Sequence, residues 1–216
     1  MTFLTFVLNQ GAAIPENFLM SYYNNYQNAI STALNGLEVT DADGQSLNAE
    51  AGMERWVSFS QETLDQGGKH YFAGNGASAM MASHMSVDCT KNAGLPANAF
   101  NDAAYLTAIG NDLGYEHTFS FPLEQYGRSE DLLITISSSG NSPNILKALE
   151  MAKHLDMRSV TLSGMKQDNR SRVAGDLNFY IPAQTYGIVE CTHQVVLHCW
   201  LDKFMSIFEW EALGNG

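Results

Sequence analysis

The chain is short of cysteine, short of cations and without a long apolar run, and each shortage closes off a class of protein. Cysteine occurs three times in 216 residues, at Cys89, Cys191 and Cys199. The number is odd and no Cys-x-x-Cys is present, which argues against a disulfide scaffold and for free thiols in a reducing cytoplasm. Lys and Arg number 11 against 23 Asp and Glu, a formal net charge of −12. Such a balance disfavours nonspecific nucleic-acid binding and anionic membranes. It also repels phosphorylated small molecules at long range, so any phosphate site must rest on local N–H groups and hydroxyls. No stretch approaches the ~18 unbroken apolar residues of a membrane span. The opening MTFLTFVLNQGAAIP has no Lys or Arg ahead of its hydrophobic patch, unlike a secretory signal, and reads as an N-terminal arm. Repeats, low-complexity tracts and long linkers are absent. The length suits one domain with a full core, and 45% hydrophobic with 16% charged residues is a soluble globular composition.

What is present is concentrated in Asp131–Pro143, DLLITISSSGNSP. The apolar run of Leu132, Leu133, Ile134 and Ile136 flows into Ser137-Ser138-Ser139-Gly140-Asn141-Ser142, and a helical pattern starts at Pro143. A strand, a hydroxyl-rich turn and a helix N-terminus make an anion site, because first-turn N–H groups lack internal partners and the helix dipole favours negative charge. Serine hydroxyls add donors, and Gly140 permits close backbone approach. An ordinary cap, with Ser142 as N-cap and Pro143 at the first helical position, is the alternative. A cap needs one serine, and this turn has four.

Residues 15 to about 66 carry apolar positions at helical spacing (Phe18, Leu19, Tyr22, Tyr26, Ile30, Leu34), with turns at Asn35-Gly36 and Asp43-Gly44 and a second helix over Leu47–Gln66. Strands then alternate with helices. Strands are expected at His70–Ala73, Ala97–Phe100, Asp131–Ser137, Ser159–Leu162 and Asp176–Ile181. Helices are expected to about Lys91, over Ala103–Asp112, from Pro143 to Leu155, near Asn169–Ala174 and over Gly187–Trp210. This is an α/β pattern: a single-domain, doubly wound, five-stranded parallel sheet flanked by helices and preceded by a helical hairpin. Residues 1–66 form the helical part and residues 67–216 the α/β core. Ligands of such sheets sit beyond the carboxyl ends of the strands, where the order reverses. Gly74-Asn75-Gly76-Ala77-Ser78 and the serine turn both lie at such ends.

Chemistry-bearing residues also recur on two helices. His84 and Asp88 are four apart and share a face, as metal ligands or as a plain hydrogen-bonded pair. The last helix carries Glu190, His193 and His198 in an otherwise apolar segment, where polar groups need partners. Glu190 and His198 are eight residues apart, about 12 Å along an ideal helix, so one ion reaches both only if the side chains lean together. His193 points elsewhere and reads as structural.

These segments together resemble the sugar isomerase (SIS) domain family, and within it the phosphoheptose isomerases. The resemblance is carried by GNGAS at 74–78, SHMSVD at 83–88, TAIGNDLGYE at 107–116, ITISSSGNSPNILKALEMAK at 134–153, VTLSG at 160–164 and GIVECTHQVVLH at 187–198. It implies a cytoplasmic aldose–ketose isomerase of a sugar phosphate, and a homotetramer with the N-terminal helices as interface. It implies phosphate binding by Ser137, Ser138, Ser139 and Ser142. Sugar binding falls to Asn75, Gly76 and Ser78, with Asn111 and Asp112 lining the site. The zinc ligands of the bacterial isomerases fall on His84, Asp88, Glu190 and His198, one ion per subunit, with Asp88 and His198 moving protons. Asp88 stands where those enzymes have Glu, and Glu190 where they have Gln. A non-catalytic phosphosugar-binding regulator, also known in the family, and an isomerase of another sugar phosphate are the alternatives.

Overall fold

The structure is a computed structural model that describes residues 21–208. Seven strands form one sheet in the order β2-β1-β7-β6-β5-β3-β4. They are β1 (Glu38–Asp41), β2 (Ser46–Leu47), β3 (His70–Gly74), β4 (Ala97–Ala99), β5 (Leu132–Ser137), β6 (Arg158–Gly164) and β7 (Leu177–Ile181). The five expected strands are present and mutually parallel, from β7 through β6, β5 and β3 to β4.

Two strands come in addition. The expected helical hairpin is α1 (Tyr22–Asn35) and α2 (Ala49–Asp65), but the connection between them is a short β-hairpin. Its β1 pairs antiparallel with the edge of β7, setting Val39 opposite Phe179. The sheet therefore has seven strands, not five. β1 offers one buried side chain, Val39, among polar neighbours, so its sequence carries no alternation and the strand is fixed by its pairing.

The remaining helices are α3 (Ala77–Lys91), α4 (Ala103–Asp112), α5 (Ser120–Tyr126), α6 (Pro143–His154) and α7 (Tyr186–Phe204). α5 was not expected from the sequence. The segment near Asn169 is a single 3₁₀ turn, Arg170–Val173, capped by the Asn169 side chain. The last helix stops at Phe204, short of the expected Trp210; Ser206 turns the chain with φ 57°. Trp210 and the N-terminal arm lie outside the described residues.

Apolar side chains on alternate positions of β3 and β5 feed two cores. Phe72, Leu132, Ile134 and Ile136 meet α2, α3 and α7 on one face. Tyr71, Ala73 and Leu133 meet α5 and α6 on the other. Burial on both faces is what apolar strands of a parallel sheet require. Trp56 of α2 stacks on Trp200 of α7 with ring centroids 4.5 Å apart and meets Phe179 of β7 at 5.3 Å, which ties α2 to α7 and to the sheet.

β4 lies on one side of β3, and β5, β6 and β7 lie on the other. The order thus reverses between β3 and β5, and Gly74 stands in register with Ile136 there. The two small-residue turns leave neighbouring strands at this switch point, the position where open α/β sheets bind ligands.

Candidate active site

The serine turn joins β5 to α6. Gly140 takes φ 62°, and a Cβ there would meet Asn169 Oδ1 at 1.9 Å, so glycine is required. The 3₁₀ turn braces it from outside. The Ser171 N–H donates to Gly140 O at 2.9 Å, and the Arg170 N–H donates to Asn141 Oδ1 at 3.1 Å. Ser142 occupies the N-cap of α6 without a side-chain capping bond, and Pro143 follows at the first helical position. The plain-cap alternative therefore lacks the hydrogen bond that defines it. Ser138 Oγ is buried with no partner. Unused hydroxyls at a helix N-terminus are the donors an anion takes.

The companion turn joins β3 to α3. Gly76 adopts φ 58°, ψ −123°, open to glycine and strained for other residues. Asn75, Ser78, Ser137, Ser138, Ser139 and Ser142 line one hollow of about 130 Å³, together with Tyr186 and Glu190 of α7. Gly76 does not line this hollow. Asn111 and Asp112 also lie away from it, exposed at the end of α4, where Asn111 Nδ2 donates to Asp112 Oδ1 at 2.7 Å.

His84, Asp88 and His198 form a separate cluster, each offering a ligand atom within 4.8 Å of the others. His84 Nε2 lies 3.2 Å from Asp88 Oδ2, and Asn92 Nδ2 donates to Asp88 Oδ1 at 3.3 Å. The His84 and His198 rings meet edge to face at 5.3 Å. α3 and α7 are held side by side by a Gln194 Nε2 to Met85 Sδ contact at 3.8 Å. Glu190 stands outside the cluster, consistent with its two-turn separation from His198. It borders the serine hollow and also a separate hollow of about 400 Å³ that His84 lines. Burial raises the Glu190 carboxyl pKa above its ordinary value. Two imidazoles and one carboxylate suit a zinc ion with a coordination position left open.

His193 is fully buried, and its ring contacts Ser163 O through Nε2 at 3.1 Å, in keeping with a structural role. Burial pushes its pKa down to about 4. Three residues at the site were not singled out from the sequence: Tyr186, which lines the hollow, and Asn144 and Tyr115, which hold Asn75. Only Asn144 carried a signal, as a weak helix former inside a first turn.

The SIS domain family model matches residues 42–164, more than half of the chain. A phosphoheptose isomerase of Helicobacter pylori (strain ATCC 700392 / 26695) is 33% identical over 193 residues, 87% of this chain and 94% of that protein. A phosphoheptose isomerase of Aneurinibacillus thermoaerophilus is 36% identical over 82% of this chain and 96% of its own length. Among solved structures, a phosphoheptose isomerase of Neisseria gonorrhoeae superposes with a TM-score of 0.73 at 27% identity, covering 88% of this chain and 98% of that one. With its switch-point turns and its helix pair, this chain belongs to the SIS domain family, beside the phosphoheptose isomerases.

Proposed function

We propose that this chain is an aldose–ketose isomerase that interconverts sedoheptulose 7-phosphate and a heptose 7-phosphate by proton transfer between C1 and C2 through an enediol. Family membership supports the coarser part, a sugar phosphate isomerase. The observation that supports the rest is that Glu190 lines both the serine hollow and a second hollow that reaches His84, one of the His84–Asp88–His198 trio. His84 lies six residues beyond Ser78 on α3, about 9 Å along the helix axis, a separation on the scale of an open-chain sugar phosphate.

The roles follow from the chemistry of each group. The phosphate sits at the N-terminus of α6 on N–H groups and on the hydroxyls of Ser137, Ser138, Ser139 and Ser142. These local donors offset the repulsion of a −12 chain. Asn75 and Ser78 meet the sugar, and Gly76 shapes the turn that carries them. His84, Asp88 and His198 would hold a zinc ion, with Glu190 near His84. Bound there, the ion supplies Lewis-acid polarisation of the sugar carbonyl and hydroxyl oxygens. The Asp88 carboxylate takes the proton from C1 of the ketose and returns it to C2. His198 moves the hydroxyl proton from O1 to O2. The resulting aldose has the same atoms as the ketose, with no redox partner.

The same reading takes the protein as a homotetramer. Helix α1 buries Ala33 alone and leaves Tyr22 and Tyr23 largely exposed, as an interface helix does. The functional test is to incubate the zinc-loaded protein with sedoheptulose 7-phosphate and follow the sugar by NMR. Growth of aldose signals to an equilibrium mixture is expected. An unchanged ketose spectrum at substrate saturation would leave a binding protein in place of an enzyme.

A further inference from the structure

Asn144, in the first turn of α6, is 1% exposed and spends its whole side-chain amide on the protein. Its Oδ1 accepts from Asn75 Nδ2 at 2.9 Å and from the Ile145 N–H at 3.0 Å. Its Nδ2 donates to Asn75 Oδ1 at 2.9 Å and to Thr118 Oγ1 at 3.1 Å. Two donors and two acceptor sites are all that an amide has. The two asparagines form a reciprocal pair, and it bridges the turn after β3 to the helix that follows the serine turn.

The orientation of this pair is fixed twice over. A backbone N–H only donates, so the atom of Asn144 facing Ile145 is the oxygen. Independently, the Thr118 hydroxyl gives its single proton to Tyr115 O at 2.9 Å. It must therefore accept from Asn144, which puts the nitrogen on that side. With Asn144 set, Asn75 is set as well. Tyr115 OH then donates to Asn75 Oδ1 at 3.0 Å and fills its second acceptor site. Asn75, which lines the serine hollow, is left with one uncommitted group, a single Nδ2–H.

We propose that Asn144 is a positioning residue. Through the amide pair it locks Asn75 as a one-proton donor at a fixed distance from the serine turn, so the ligand atom that meets Asn75 is an oxygen acceptor. The inference rests on the sugar-phosphate reading of the site and adds to it the residue that sets the sugar contact. Asn144 acts on the sugar end through Asn75, and the phosphate end stays with the serines.

The test uses calorimetry with two probes, sedoheptulose 7-phosphate and inorganic phosphate, on the full-length protein, its Asn144→Ala, Asn75→Ala and double variants, and Tyr115→Phe. Asn144→Ala should weaken the sugar phosphate about 10-fold while inorganic phosphate changes less than about 2-fold. The double variant should bind the sugar phosphate no more weakly than Asn75→Ala alone, because the two residues act as one unit. Tyr115→Phe alters an exposed side chain and keeps the test open if Asn144→Ala does not fold. It should weaken the sugar phosphate about 3-fold and leave inorganic phosphate unchanged. Side-chain amide exchange by NMR reads the pair without ligand: one Asn75 proton protected in wild type, neither in Asn144→Ala. Equal loss of both probes in Asn144→Ala, additive losses in the double variant, or full sugar affinity in either single-pair variant overturns the positioning role. Wild-type protein with the pair intact that binds phosphate but no sugar phosphate overturns the substrate reading instead.

Discussion

His84 Nε2 lies 3.2 Å from Asp88 Oδ2, one turn further along α3, so an imidazole and a carboxylate converge on one point beside the His198 ring of α7. Two helices that leave different strands bring this trio together, and its donor set is that of an open zinc site. His84 is half exposed, so the cluster is accessible.

Purified without chelator, the protein is expected to hold about one divalent ion per chain. Elemental analysis should find that ion absent from His84→Ala. Glu190→Ala should retain it, since Glu190 lies outside the trio. Equal metal in wild type and His84→Ala would exclude the site, and loss in Glu190→Ala would make Glu190 a ligand.

Phosphate affinity is expected to depend on the serine turn. Ser139→Ala or Ser142→Ala should weaken a sugar phosphate by about 1–2 kcal/mol, the scale of a hydrogen bond to a charged group. Ser142→Asp should abolish binding by like-charge repulsion at the N-cap. Calorimetric affinity unchanged in the Asp variant would move the phosphate to another place on the surface.

Stability should fall in mild acid. Burial pushes the His70 and His193 imidazoles down to about 4 from an ordinary 6.5. The Pro96 carbonyl near His70 works the other way, without a well-formed bond to either ring nitrogen. Between those pH values the unfolded chain binds more protons than the folded one, so stability is complete above about 6.5 and declines as pH falls toward 4. Each ring contributes on the order of 3 kcal/mol across the window. His70→Leu removes one protonation step, so the urea midpoint should vary less with pH in that variant. An identical pH profile in wild type and variant would remove His70 from the account.

The parts of this molecule legible in its sequence are those written in local pattern. The apolar run of β5, the serine turn and the helical spacing after Pro143 fixed β5 and α6 to within a residue at each end. Spacing showed two separate pairs, His84 four before Asp88 and Glu190 eight before His198, and their union across α3 and α7 was implied by the family resemblance. What stayed hidden depends on contacts distant in sequence. β1 is a strand because β7 offers it an edge. α5 is seven residues long and gains its place by burying Leu123 against α6. Asn144 matters through Asn75, 69 positions away, and no local pattern marks such a pair. The exclusion of Glu190 from the trio was foreshadowed by helix geometry alone.

Asp88 is the residue on which turnover should turn. Asp88→Asn keeps the size and part of the ligating ability but removes the base. It should lose at least about 10²-fold in rate while keeping much of the substrate affinity. Asp88→Glu adds one methylene and moves the carboxylate by about 1 Å, a shift large enough to change the rate by about 10²-fold in either direction. Equal turnover in wild type and Asp88→Asn would assign the carbon-bound proton to another group.

The central claim is enediol chemistry at this cluster, and solvent deuterium exchange tests it most directly because it registers proton abstraction even when net conversion is slow. Sedoheptulose 7-phosphate incubated in D₂O with the zinc-loaded wild type is expected to gain deuterium at C1, and the aldose product at C2, with the signal lost in Asp88→Asn. Binding of sedoheptulose 7-phosphate and of several hexulose phosphates with no deuterium incorporated into any of them would contradict the isomerase account and leave a phosphosugar-binding protein.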